Sequence, residues 1–318
     1  MRRLALAAFA LLFATAAFAQ SYPDRPVRII VPTPAGGPVD VMARVVAAAL
    51  PASLGQNVVI ENKPGAGNII GSKIAAEAVP DGYTLMVSAA SGLIMSPMIY
   101  RNPGYDASSF APIALIAETP QLLVINPQLP FKSVADLVAY AKANPGKLNY
   151  STGGIGTLPH LAAELFKKTT GTNIVHVPYK GGGPALTGVV AGEAQMTFDP
   201  LATSLQLIKT GKLRALAIAG PVRSDALPGV PTMAECGYQS FTVGAWTALL
   251  APKGTPDAIV AKLYTALNKA LQSEPMKSTL ARLRAEPRGG TPQQLADHMA
   301  GETKKWKPII EALNLKQK

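Results

Sequence analysis

The stretch that decides the fold runs from Val27 to Leu50 and reads VRIIVPTPAGGPVDVMARVVAAAL. Val27-Arg28-Ile29-Ile30-Val31 is a short apolar, β-branched run of the kind that forms a buried strand. Pro32 to Pro38 interrupts it with turn residues. From Val39 the apolar positions Val41, Met42, Val45, Val46, Ala49 and Leu50 recur at helical spacing. A strand that enters a glycine loop and then a helix aims unpaired backbone N–H groups at whatever lies above the loop. The helix dipole makes that spot favour an anion. The same order returns at Asn149–Lys168, NYSTGGIGTLPHLAAELFKK, about 120 residues further on. Two such loops predict two lobes facing one ligand.

Outward from these units the pattern stays α/β. Val58–Asn62, Tyr83–Ser88 and Phe110–Ala117 read as strands, with a helix over Ile69–Ala78 and a small-residue loop at Ser88–Gly92. A further strand at Gln121–Asn126 restarts the series. Ser133 caps a helix stopped by Asn144-Pro145-Gly146, and strands follow at Leu148–Ser151, Ile174–Val177, Gln195–Phe198 and Leu213–Ala219. Val243–Ala251 is a returning strand, and the remainder reads as a largely helical tail. Repeated strand–helix order predicts mostly parallel sheets flanked by helices. The expected lobes are residues 20–121 with 243–318, and the inserted residues 122–242, joined by two crossings that act as a hinge.

The first residues read as a processing signal. Arg2-Arg3, the apolar run Leu4–Ala16 and the cleavage pattern Ala17-Phe18-Ala19 predict removal of residues 1–19. Cys236 is the only cysteine, so no lipid-bearing cysteine stands at the cleavage site and no intramolecular disulfide is possible. An exported chain of this type is expected in a Gram-negative periplasm without a lipid anchor. Its 318 residues carry a formal charge of +11, from 30 basic and 19 acidic side chains. The basic residues are spread over presumed helix faces, with a mild cluster at Lys304-Lys305-Trp306-Lys307, and no basic stripe with interleaved aromatics points to nucleic acid.

Catalytic signatures are weak. Gly65–Lys73 superficially resembles a phosphate-binding loop, but its glycine spacing is off by one residue and its Ser-Lys order is reversed. There is no G-x-S-x-G elbow, no H-E-x-x-H and no Cys/His pair at metal spacing, so no metal and no cofactor is expected. The histidines His160, His176 and His298 are isolated, and an enzyme acting on organic acids would have only His160 or Asp199 as its base. The glycine loops carry no charged side chain, so a bound anion would be held by backbone N–H groups, Thr and Ser hydroxyls, helix dipoles and water. Asp40 and Asp199 each sit at a helix start. Capping accounts for Asp40, whereas Asp199, at the end of an apolar strand, either caps or faces the cleft.

Seven stretches together mark a family: YPDRPVRIIVPTPAGGPVD, VVIENKPGAGNIIGSKIAAEAVPDGYTL, KLNYSTGGIGTLPHLAAELF, HVPYKGGGPALTGVVAGEAQMTFDP, GKLRALAI, LPGVPTMAECG and LLAPKGTP. Over essentially all of the mature length the chain resembles the Bug receptors, the TctC-type extracytoplasmic solute-binding proteins of tripartite tricarboxylate transport systems. The resemblance implies a two-lobed periplasmic-binding-protein fold, type II-like, closing on a small carboxylate in the cleft between lobes. Candidates are mono- and dicarboxylates, acidic amino acids and aromatic acids. It implies contacts from Thr33, Gly36 and Gly37, from Ser88, Ala89 and Ser91, and from Thr152, Gly153, Gly156, Thr157 and His160. Asp199 is expected near the far end of the ligand. The implied partners are TctA/TctB-like membrane permease subunits, or a membrane kinase if the role is sensing, and a monomer is expected. Two departures bear on specificity. Thr33 stands where the family usually has an aromatic, and Pro38 removes a backbone N–H where it has a small flexible residue.

Overall fold

The computed structural model describes residues 22–315, so the expected signal segment at 1–19 lies outside the described residues. Strand β1 (Val27–Val31) buries Val27, Ile29, Ile30 and Val31 completely. It lies between two parallel neighbours, β2 (Val58–Asn62) and β3 (Thr84–Ala89), which is why it reads as a continuous apolar run rather than an alternating one. Helix α1 (Pro38–Ala49) buries Met42, Ala43, Val46 and Ala47 at helical spacing. Helix α2 (Ile69–Ala76) follows a single 3-10 turn.

The expected break between strands at Phe110–Ala117 and Gln121–Asn126 is not there. A single strand, β4 (Phe110–Ile125), runs through Thr119-Pro120. It stays continuous because it changes partners at that point. Residues 110–120 face β9 (Gly244–Pro252), whereas residues 121–125 face β7 (Met196–Pro200) and residues 122–125 also β8 (Arg214–Ile218), all antiparallel. Register shifts between Pro112/Ala114, Leu115/Ala117 and Leu123/Val124 bend it. Beyond β7 lie β5 (Asn149–Thr152) and β6 (Val175–Pro178), parallel to one another, giving the order β2-β1-β3-β9-β4-β7-β5-β6. Parallel sets thus stand on both sides of the antiparallel crossing strands.

Helices α3 (Val134–Ala143), α4 (Leu158–Thr170), α5 (Gly182–Ala191) and α6 (Leu201–Lys209) serve the second half. Ser133 and Asp136 form a reciprocal capping box at α3. The tail contains α7 (Asp257–Leu271), α8 (Glu274–Arg282) and α9 (Pro292–Ala312), and it is not wholly helical. A short strand, β10 (Glu286–Gly289), pairs antiparallel with β4.

Three apolar clusters hold these layers. One lies between the first sheet half and α1, α7 and α8; another joins Leu122 and Val124 to Leu186, Val189, Leu201 and Leu205. The largest runs without a break from Met86 and Leu93 to Leu123, Tyr150, Phe166, Phe198, Trp246 and Trp306. Over residues 122–125 of β4, Leu122 and Val124 serve one cluster and Leu123 and Ile125 another, as the strand period of two requires. Helix α9 packs on both β4 and α4. Its buried Glu302 accepts the indole N–H of Trp246 (3.2 Å) and of Trp306 (2.9 Å), and Lys305 bonds both Glu302 and the carbonyl of Thr242 (2.7 Å). Arg288 of β10 pairs with Glu118 of β4 at 3.0 Å.

Candidate functional site

The two glycine loops are the same structure made twice. Gly36 and Gly156 both have left-handed backbones, φ +82° and +78°, which explains glycine at each. The next residues, Gly37 and Thr157, are the helix N-caps, with φ/ψ of −73°/166° and −69°/158°. The N–H of Gly37 approaches the carbonyl of Pro34 at 3.4 Å, and that of Thr157 the carbonyl of Gly154 at 3.4 Å. The first helical bonds are Val41 to Gly37 (2.9 Å) and Leu161 to Thr157 (3.0 Å). The amide of each left-handed glycine donates to a side chain four residues on. Gly36 gives to Asp40 Oδ2 at 2.8 Å and Gly156 to His160 Nδ1 at 3.1 Å. The N–H groups of Val39 and Asp40, and of Leu158 and His160, come before any helical acceptor can reach them. Pro38 and Pro159 supply none. Each loop therefore offers a helix start with two outward amides and a positive dipole end.

Asp40 does not cap its helix. Besides Gly36 it accepts Arg44 Nε and Asn62 Nδ2, each at 2.8 Å, and the same Asn62 amide donates to Thr33 O at 3.1 Å. Burial works against ionisation of Asp40, but the bonds from Arg44, Gly36 and Asn62 outweigh it and hold its carboxyl at about 2. The loop is thus clamped at Thr33 and Gly36 by a neutralised ion pair beneath it. The hydroxyl of Thr33 is buried and has no partner among the described residues.

The second loop rests on aromatic rings. His160 stacks on His176 with centroids 4.3 Å apart, and His176 stacks on Tyr150 at 4.8 Å. His176 Nε2 lies 2.7 Å from the Thr152 hydroxyl, which also receives the Gly154 N–H at 3.2 Å. Tyr150 donates to Glu164, which pairs with Lys167. Burial, and then the neighbouring His176, push His160 down to about 4, so its imidazole is neutral and its Nδ1 accepts.

A cavity of about 400 Å³ opens beside this loop, lined by Gly153, Thr157, Gly181–Gly183, Asp199 and Thr203 among others. Asp199 is buried at the end of β7 and accepts the hydroxyls of Thr203 and, at 2.5 Å, Ser204. Burial raises its carboxyl above the ordinary value. Of the expected ligand contacts, Gly153, Thr157 and Asp199 meet at this cavity. Thr152 and His160 lie buried behind the loop and support it. Thr33, Gly36 and Gly37 form the first loop. Ser88 is fully buried at the end of β3 and Ala89 closes the strand. Ser91 is exposed, and here the expected loop is instead a π-helical turn, Ser91–Met95, that continues into the helical turn Ser96–Ile99. That turn brings Ile99 to the second loop, where a Cβ placed on Gly156 would lie 3.8 Å from Ile99 Cδ1. These six first-half residues do not line the 400 Å³ cavity.

Sequence reasoning did not single out Asn62, His176, Thr203 or Gly181–Gly183 for the site. The triple glycine between a strand and a helix carried a usable signal, since Gly153 packs directly on it. A Cβ on Gly153 would stand 2.7 Å from the Gly182 nitrogen. Larger cavities lie elsewhere, about 530 Å³ between Ala52–Ser53 and α7, which the glycine loops do not line, and two others, about 860 Å³ along α9 and about 590 Å³ between α1 and α7–α8. Apolar and small side chains dominate both, and neither receives the glycine loops. Among the described residues no group of three or more His, Cys, Asp or Glu gathers as a metal site, and no helix is long and apolar enough to cross a membrane.

Residues 42–315 match the model of the tripartite tricarboxylate transporter family receptor, TctC. The chain is 39% identical to Protein BugT of Bordetella pertussis, over all of this chain and 99% of that one. It is 36% identical to the solved structure of R. palustris Rpa4515 with adipate, with a TM-score of 0.70 over 91% of this chain and 97% of that one. A TctC solute-binding protein from Polaromonas, solved with no ligand, is 30% identical with a TM-score of 0.85 over 92% and 99%. With matched helix starts at two lobes and a family model spanning most of its length, the chain belongs to the TctC family of solute-binding receptors.

Proposed function

We propose that this receptor captures a small carboxylate in the periplasm and delivers it to TctA/TctB-like permease subunits, without chemical turnover and as a monomer. The carrying observation is the duplicated loop: two helix starts with free amides, left-handed glycines tied back, and no charged side chain among the loop residues themselves. Such a site suits carboxylate oxygens, which accept from amides and hydroxyls. Adipate in the Rpa4515 structure supports this ligand class. In this reading residues 20–121 and 243–318 form one lobe and 122–242 the other, and Thr33, Gly36, Gly37, Ser88, Ala89 and Ser91 meet the ligand from the first. Gly153, Gly156 and Thr157 meet it from the second, with Thr152 and His160 behind them and Asp199 toward its far end. A ligand that touches both loops favours closure by its differential affinity for the closed form.

The reading is tested by calorimetric titration of residues 20–318, unfolded and refolded to remove retained ligand, with C4–C6 dicarboxylates, acidic amino acids and aromatic acids. Binding of one class, with every acid recovered unchanged, is the expected outcome. Thr33→Val, which deletes the unpartnered hydroxyl, should weaken that binding about fivefold, the effect of one hydrogen bond of about 1 kcal/mol. Absence of binding by all classes, or conversion of any acid, overturns the proposal. Delivery is tested in cells: deleting the gene should abolish uptake of the bound acid, and unchanged uptake would refute that half.

A further inference from the structure

The paired loops share a backbone but differ in what holds them. In the first, the Gly36 amide is received by a carboxylate that is itself fixed by Arg44 and Asn62. In the second, the equivalent Gly156 amide is received by a ring nitrogen. We propose that Asp40 and His160 are matched positioning residues that keep the two loops in one anion-ready shape, and that the grip on the second loop is the first to be lost to protons. The inference builds on the reading of these loops as the carboxylate site, but its test requires no ligand.

The chemistry follows from the atoms. Nδ1 of a neutral imidazole accepts through its lone pair when the proton sits on Nε2. A proton taken from solvent at Nδ1 turns that acceptor into a donor, so two N–H groups then face each other 3.1 Å apart. The Gly156 amide has to turn away, and its left-handed backbone loses the contact that fixes it. The groups facing His160 are His176 on β6, Tyr150 on β5, and Glu164 and Lys167 on its own helix. A charged His160 would sit against a second imidazole and at a positive helix end, both unfavourable, while Glu164 opposes them. Burial and His176 prevail, holding His160 at about 4, so the second loop stays held through the neutral range and is released between about pH 5 and 3. Asp40, held at about 2, keeps the first loop clamped over the same interval. The two halves of the cleft therefore let go in order, the second lobe first.

The experiment follows the ¹⁵N–¹H signals of Gly36 and Gly156 in ligand-free residues 20–318 from pH 8 to pH 3.5, together with the ring nitrogens of His160. The Gly156 proton is expected to move upfield with the His160 midpoint, near 4, while Gly36 holds still. In His160→Gln, whose side-chain carbonyl accepts at every pH, the Gly156 signal should stay flat. If that variant does not fold, coincidence of the Gly156 and His160 midpoints in the unaltered chain decides the question alone. A Gly156 signal that stays still while His160 titrates, or one that moves unchanged in a folded His160→Gln, overturns the proposal. Failure of every carboxylate to bind would refute the proposed function and leave this result standing.

Discussion

Replacing Asp40 by asparagine isolates the charge beneath the first loop without changing its shape. The carboxylate falls from an ordinary 3.8 to about 2 in the folded chain. Carried through linkage, that difference is worth about 2.5 kcal/mol at full strength. Asp40 is 1% exposed, but its charged partner Arg44 is 54% exposed, so solvent screening reduces the figure to about 1–2 kcal/mol. Because the folded value is the lower one, this contribution is complete above about pH 4 and is lost as pH falls toward 2. Asp40→Asn keeps one acceptor for Gly36 or Asn62 and loses the attraction to Arg44. Urea unfolding at pH 7 should therefore show the variant less stable by about 1–2 kcal/mol, with the gap narrowing steadily from pH 4 to pH 3. A gap that is absent at pH 7, or equally wide at pH 7 and pH 3, would refute the assignment of ionised Asp40 as the clamp.

Three further substitutions probe the packing at Gly153, the buried carboxyl of Asp199 and the indole contacts of Glu302. Gly153→Ala pushes a methyl against the backbone of Gly181 and Gly182, at 2.8 and 2.7 Å, so it should cost about 1–3 kcal/mol in urea unfolding, and wild-type stability would contradict the packing. Asp199→Asn removes a carboxyl whose folded value burial has raised, and whose contribution is present in acid and lost as pH rises. The melting temperature of the variant should thus gain on the wild type from pH 4 to pH 8, and a constant difference would exclude a raised value. Glu302→Ala leaves two buried indole N–H groups without an acceptor and should cost about 3–5 kcal/mol. The chain has two tryptophans and both bond Glu302, so intrinsic fluorescence reads this change directly; an unfolding midpoint equal to wild type would show that the contact is incidental.

The first strand, its loop and α1 were legible in the residues because apolar run, turn chemistry and helical spacing agree over Val27–Leu50. The same agreement over Asn149–Lys168 made the second loop legible. The two strands read at Phe110–Ala117 and Gln121–Asn126 are one, because β4 exchanges partners at Pro120 and stays extended through it. Strand β10 escaped because Glu286-Pro287-Arg288-Gly289 has no apolar alternation; its place depends on Arg288 meeting Glu118 across the sheet. Ser88–Gly92 looked like a loop from its small side chains, but those side chains allow a π-helical turn to pack tightly, with a Cβ on Gly92 falling 2.9 Å from Ser88 Oγ. At the site, the sequence carried the glycines and the helix starts. The four-residue reach from Gly36 to Asp40 and from Gly156 to His160 is side-chain geometry, and neither residue type announces it.

The function proposed for this receptor turns on the duplicated helix starts holding a carboxylate. A thermal melt of refolded residues 20–318 against a panel of carboxylic acids tests it most directly, because a ligand bound only by the native state stabilises it by about 2.7 kcal/mol at a hundred times its dissociation constant. One class of acid should raise the melting temperature, and its uncharged amide should not. Equal shifts from acid and amide, or no shift from any acid, would contradict it.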